Sequence, residues 1–250
     1  APKFPGTMTL KLLLDLFFYN ANKEALSHVL FTLTKMAKAG IYDQVAGGFA
    51  RYATDKEWNI PHFEKMLYDN AAFISVYSNA YKIHPDPVFH KVVSETTAWL
   101  EENMKSPSGG YFSAVDADSE GIEGKYYTWT TAELKQILTP EEYELMLQVF
   151  DIRDEGNWED PFHPGNESKN IVWVNSDLKN EQIWYSDQYK NLISKLKANR
   201  SKRVHPLIDT KILTAWNGLL IIGWLDAYTA FRDDKYYRLA KENFDFILDN

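Results

Sequence analysis

Apolar residues recur at helical spacing along most of this chain. Leu10, Leu13, Leu14, Phe17 and Phe18 share one face, and Leu26, Val29, Leu30, Leu33, Met36 and Ala37 share another. Residues three and four apart lie on one side of an α-helix, so these runs predict two helices. Gly40 suits the stop of the second. The same spacing predicts helices over about 64–83, 87–103, 189–196, 210–231 and 235–249, with Pro85 and Pro87 marking a turn. Thr130 with Glu133 and Thr139 with Glu142 fit two capping boxes that open short helices. Irregular, glycine-bearing stretches lie at 41–61, 106–129 and 151–185. Tyr126, Tyr127 and Trp129 favour a short strand in the second stretch. Gly156, Pro161, Pro164 and Gly165 make the third read mainly as loop.

The pattern repeats 147 residues further along, without a gap. Asn70 falls on Asn217, Ile74 on Ile221, Tyr81 on Tyr228 and Glu95 on Glu242. In each copy the first helix is apolar nearly all round and the second carries one apolar stripe. An all-round apolar helix is surrounded by protein, whereas a striped helix keeps one wet face. An inner and an outer ring of helices require this alternation, and open helical solenoids give a similar signal. The expectation is an all-α fold.

Composition removes several alternatives. The chain has no cysteine, which excludes disulfides, thiolate metal sites and cysteine nucleophiles. Its formal charge is -8, and the one dense basic run, 195–203, sits beside an ordinary amphipathic segment. No nucleic-acid partner is expected, because displacing phosphate counterions needs basic patches. The apolar run 212–231 contains Asn217 and Asp226 and reads as a buried helix, so no membrane partner is expected. The six histidines show no zinc spacing, and no phosphate-cradling loop is present. No metal or cofactor is expected. The start at Ala1-Pro2-Lys3 has no signal-peptide pattern, and the expected location is cytoplasmic.

Three loops concentrate chemistry. The first runs from Asp43 through Gly47, Gly48, Arg51, Tyr52 and Trp58 to His62, Glu64, Lys65 and Asp69. Charges of both signs among aromatics suit a pocket for a polar ligand. A salt-bridged tie between two helices has the same composition. Glu64 and Lys65 are acid/base or orienting candidates, while Glu64 also suits the positive end of a helix dipole. Asp69 lies deeper in an apolar helix, where a carboxylate must be paired or functional. The second loop is Asp116-Ala117-Asp118-Ser119-Glu120-Gly121. A calcium loop would need glutamate where Tyr127 stands, so the carboxylates suit a sugar site or a solvated turn instead. The third holds Lys211, Trp216 and Asn217. Lys211 occupies the repeat position of Glu64. Asn217, like Asn70, reads as a buried amide bridging neighbouring elements.

At these loops the chain resembles a known family. The resembling stretches are 40–71 (GIYDQVAGGFARYATDKEWNIPHFEKMLYDNA), 109–131 (GGYFSAVDADSEGIEGKYYTWTT) and 209–220 (DTKILTAWNGLL), with Pro2-Lys3-Phe4-Pro5 matching a junction. They resemble the spermatogenesis-associated, thioredoxin-domain proteins that join a thioredoxin-like domain to a six-hairpin-glycosidase-like toroid. The resemblance implies that residues 1–250 form one partial (α/α)6 toroid of helix hairpins with short β-hairpin loops. It also implies a thioredoxin-like domain before Ala1 and further hairpins after Asn250 in the full-length protein. Ala50 and Thr210 stand where relatives often carry histidine and a second aspartate.

The expected function is acid/base hydrolysis or isomerisation of a sugar, or of another polar small molecule, in the toroid mouth. Asp43, Glu64, Asp116 and Asp118 are the catalytic candidates. Arg51, His62, Lys65, Asp69, Glu120 and Lys211 would orient polar groups, and Tyr52, Trp58 and Trp216 would stack on the ring. The alternatives are a non-catalytic or redox-linked protein that recruits clients for the thioredoxin-like domain, and an open ring without activity.

Overall fold

The computed structural model describes residues 2–161 and 169–250. Pro164 and Gly165, read above as loop, lie outside the described residues. The chain opens with α1 (Thr7–Asn20) and α2 (Lys23–Lys38), followed by β1 (Tyr52–Ala53), β2 (Pro61–His62) and β3 (Lys65–Met66). Next come α3 (Leu67–Ile83), α4 (Pro87–Asn103), β4 (Ala114–Val115), β5 (Asp118–Ser119) and β6 (Ile122–Glu123). The helices α5 (Thr131–Ile137), α6 (Pro140–Val149) and α7 (Asp187–Arg200) precede β7 (Ile208–Asp209), α8 (Thr214–Phe231) and α9 (Asp234–Asp249).

Three long antiparallel helix hairpins stand side by side: α1–α2, α3–α4 and α8–α9. Helices α1, α3 and α8 form the inner row, and α2, α4 and α9 form the outer one. Helix α3 is buried nearly all round, as its sequence requires. Helix α8 is equally apolar, yet Leu219, Ile222 and Leu225 are exposed; inner and outer neighbours flank it on one side only. No helix among the described residues is long and apolar enough to cross a membrane.

The repeat is a packing device. Asn70 Oδ1 accepts the Phe49 amide at 2.7 Å, and its Nδ2 donates to the carbonyls of Phe49 and Met66. Asn217 does the same to Tyr111 (2.8 Å) and Leu213. Each aromatic follows a Gly-Gly pair held at positive φ. A Cβ on Gly48 would meet the Trp99 ring at 2.7 Å, and one on Gly110 would meet Phe246 at 2.5 Å. Trp99 and Phe246 share a register position in the repeat. Each Gly-Gly-aromatic loop is therefore clamped between an inner asparagine and an outer aromatic of the next hairpin. Only glycine combines that backbone with that approach.

Both capping boxes form, at Thr130/Glu133 and Thr139/Glu142. Other expectations need correction. Tyr126 and Tyr127 lie in a turn rather than a strand, and Trp129 makes only an isolated bridge to Asn170. Helix α2 does end where Gly40 follows its cap, and the missing Cβ of Gly40 makes room there for the Asn59 carbonyl. Helix α3 begins at Leu67, because Lys65 and Met66 pair with Val115 and Ala114 in the sheet β3–β4–β7. Glu64 therefore precedes the helix and does not cap its dipole. In that sheet β3 runs directly into α3 and β7 precedes α8, so the sheet joins the N-terminal ends of the two inner helices.

Candidate functional site

Neighbouring charges of the first loop divide between the core and the mouth. Lys65, at the start of β3, turns into the core, while Glu64, in the short link before that strand, stays half-buried at the surface. Lys65 Nζ lies 2.9 Å from both Asp43 Oδ2 and the Gly47 carbonyl, and near the Trp99 and Tyr127 rings. Arg200 from α7 closes a fork on both Asp43 oxygens at 2.9 Å. All three side chains are at most 9% exposed. Burial opposes ionisation of Asp43, but Arg200 and Lys65 hold its carboxyl well below the ordinary carboxylate range. Burial brings Lys65 down to about 8. By sequence Asp43 and Lys65 are candidates to act on substrate. Their oxygens and ammonium are instead spent on each other beneath the mouth, and they join the loop, the sheet and α7.

Above this knot a second cluster faces solvent. Arg51 Nη1 donates to Glu64 Oε2 at 3.0 Å. His62 Nδ1 lies 2.7 Å from Glu123 Oε1, and its Nε2 lies 3.9 Å from Glu64 Oε2. The Tyr52 ring stacks on His62 at 4.8 Å, and Phe4 braces Tyr52. Asp69, in the first turn of α3, completes the cluster. Burial pushes its carboxyl up to about 7, against the pull of Arg51 and a hydrogen bond with Tyr68; Glu64 adds to the rise. Asp69 Oδ2 and Arg51 Nε are buried without a hydrogen-bond partner among the described residues. Tyr68 meets Trp216 of α8 edge-on at 4.8 Å, so aromatic surface borders the carboxyl.

The acidic loop is a hairpin. Strands β5 and β6 pair Asp118 with Glu123, and Glu120 and Gly121 form a two-residue turn, both at positive φ. Asp116, Asp118 and Glu120 are exposed. Asp116 Oδ1 accepts the Asp118 amide. The Asp118 carboxyl is raised by partial burial and by Asp116 and Glu123, with His62 opposing. Asp118 thus borders the His62 cluster, whereas Glu120 sits at the turn and pairs with Lys125 at 2.8 Å.

Two further expectations separate from the mouth. Trp58 is buried at φ +72° under the Lys3 ammonium, which lies 3.8 Å from its ring centroid. It borders a different cleft of about 950 Å³, lined also by Phe31, Lys38, Trp173 and Asn175. That cleft is lined by none of Arg51, His62, Glu64 and Asp69. Lys211 is exposed and pairs with Asp209 at 2.7 Å.

Three contributors escaped the sequence reading: Tyr68, Glu123 and Arg200. Reading Glu120-Gly121 as a hairpin turn would have set Glu123 opposite Asp118. Arg200 shares the apolar stripe of Tyr189, Leu192 and Leu196, and a charge on such a stripe signals a buried partner.

Inner and outer helix rows with a loop-built mouth define an (α/α)6 toroid domain, here represented by three long hairpins among the described residues. Solved toroids agree: a family 76 glycoside hydrolase from a bovine Bacteroides thetaiotaomicron strain superposes with a TM-score of 0.56 at 11% identity, over 99% of this chain and 35% of that one. The family 76 α-mannanase of Bacteroides thetaiotaomicron gives 0.54 at 14% identity, over 98% and 44%. At such identity the likeness concerns the fold alone. No protein-family model matches the chain. In sequence it is 31% identical to human spermatogenesis-associated protein 20, over 99% of this chain and 35% of that protein. The chain spans about a third of that relative's length, and over this shared stretch it is similar to it nearly end to end.

Proposed function

We propose that the mouth carries out acid/base chemistry on a sugar, hydrolysis or isomerisation, with Asp69 as the group that holds the proton. One observation carries this reading: a carboxyl poised near neutrality sits in the first turn of an inner helix, with one oxygen unpartnered, beside Arg51, Glu64, Tyr68 and Trp216. An acid that titrates near the working pH is protonated often enough to donate and acidic enough to let go. Glu64, kept in place by Arg51, and His62 are the basic partners. Asp118 and Asp116 face the sugar from the hairpin edge. Tyr52, Tyr68 and Trp216 supply flat apolar surface, which suits the C–H faces of a sugar ring.

The superposable toroids are named as a glycoside hydrolase and an α-mannanase, so α-mannosides head the panel to test, with free aldoses added to test isomerisation. Turnover by the wild-type chain, abolished in Asp69→Asn and Glu64→Gln, supports the reading. Turnover unchanged in both variants removes it.

A client-binding role, working with a thioredoxin-like domain, is the second reading. It draws on the exposed apolar residues Met8, Leu12 and Leu16 of α1. Capture of an unfolded protein by the chain, lost on Leu12→Lys and kept in Asp69→Asn, would favour it.

A further inference from the structure

Glu123 is the carboxylate of the mouth to which the proposed chemistry gives no task, and its surroundings specify one. Its Oε1 lies 2.7 Å from His62 Nδ1 and also accepts the Phe63 amide at 3.4 Å. The strand that carries it is pinned. Gly124 seats directly on the Phe63 ring, where a Cβ would come within 2.5 Å, and its amide donates to the Ala117 carbonyl. Tyr127 stacks on the Phe63 ring as well, at 5.5 Å and 12°. The imidazole is also held. Tyr52 lies against its face at 16° and is itself braced by Phe4. Nε2 is left 3.9 Å from Glu64, beyond a hydrogen bond, on a side chain 26% exposed.

We propose that Glu123 is a positioning residue: it accepts Nδ1–H of His62 and so fixes the tautomer whose Nε2 lone pair faces Glu64 and the open mouth, making His62 a proton acceptor for the bound sugar. The proposal rests on the sugar acid/base reading of the mouth. A carboxylate bonded to one ring nitrogen decides which tautomer the other nitrogen presents. When Nε2 takes a proton from a sugar hydroxyl or carbon, the imidazolium forms beside Glu123, and the proton returns from Nε2 to product or water. Neither nitrogen needs a metal or a redox partner for this cycle. The charges facing His62 are consistent with it: Glu123 first, then Glu64, raise its tendency to hold a proton, while Arg51 opposes; Asp118 lies within the same field. The bland alternative is that Glu123 merely staples the β5–β6 hairpin to the mouth.

Ring-nitrogen NMR of the ¹⁵N-histidine-labelled chain separates the two, with His62 assigned by His62→Gln. The expected wild-type signal is an Nδ1–H tautomer titrating above an ordinary histidine. Glu123→Leu should lose that tautomer preference. Glu123→Gln still accepts Nδ1–H without the charge, so it should keep the tautomer and lower the titration midpoint by roughly one pH unit. On any sugar the chain turns over, Glu123→Gln should reduce kcat about tenfold and move its acidic limb with the midpoint at little cost in KM, and Glu123→Asp should restore part of it. A tautomer and titration unaltered by Glu123→Leu overturn the proposal. So does a loss of kcat in Glu123→Gln that tracks melting temperature without moving the pH profile. If no sugar is turned over, the reading of the mouth fails; the spectra still decide whether Glu123 orients His62.

Discussion

Glu64 and Lys65 are adjacent in sequence and have opposite fates. Lys65 enters a dry knot with Asp43 and Arg200, where every charge has a partner. Glu64 stays in the half-open cluster with Arg51, His62 and Asp69, where two polar atoms lack partners among the described residues. Residue types do not distinguish the regions, since each combines carboxylates with cations and aromatics. Burial does. In the knot, carboxylate ionisation is driven to completion; in the mouth, burial with too little compensation leaves Asp69 near 7. The knot is the foundation on which the responsive cluster stands.

The largest test of that contrast is Asp43→Asn. It leaves Arg200 and Lys65 buried without their counter-ion and should cost about 3–5 kcal/mol in urea unfolding. A loss below about 1 kcal/mol would mean that water reaches the knot, and the division between the regions would collapse. Asp69→Asn should do the reverse. It should lower turnover by about 10²–10⁴-fold while leaving the fold intact or firmer. The sign follows from the raised carboxyl. Below the unfolded value near 3.8, both states are protonated and the substitution changes little. Between there and about 7 the folded state increasingly resists losing its proton. The wild type therefore loses stability relative to the Asp69→Asn variant as pH rises through that window, with the full difference above it. Melting temperatures at about pH 4 and about pH 8 check this; a gain confined to the acidic measurement would contradict it.

The scaffold offers a smaller contrast. Asn70→Ala removes three bonds from a fully buried clamp and should cost about 2–4 kcal/mol. Asn217→Ala removes the equivalent three from an equally buried clamp, on a helix whose other face is partly exposed, and should cost about 1–3 kcal/mol. Denaturant midpoints that fall for one alone would show that the copies share register but not energetics. Smallest of all is Glu120→Ala. It breaks an exposed pair with Lys125 and should change stability by less than about 1 kcal/mol. Turnover reduced as much as by Asp69→Asn would bring the hairpin tip into the site after all.

Much of this was legible in the chain itself. Apolar periodicity and the 147-residue repeat define the inner and outer helices, since a helix that is apolar all round has to be enclosed. Thr130 and Thr139 announce their caps, because a capping box is a local exchange of hydrogen bonds. Asn70 and Asn217 announce buried clamps, because an amide in an apolar helix needs partners. The sorting of the loop charges was not legible. Asp43 reads as well for an acid as Glu64 does, until Arg200 arrives from 157 residues away. Glu123 meets His62 only when the β5–β6 hairpin folds over β2, and Trp58 is lost to the mouth because its strained backbone turns it under Lys3. Local pattern determines which segments are helical and which side of each is dry, because those depend on neighbours within a few residues. Only the tertiary structure decides which ionisable groups meet and how much water each retains, because electrostatic environment is set by whatever the fold brings within a few ångströms.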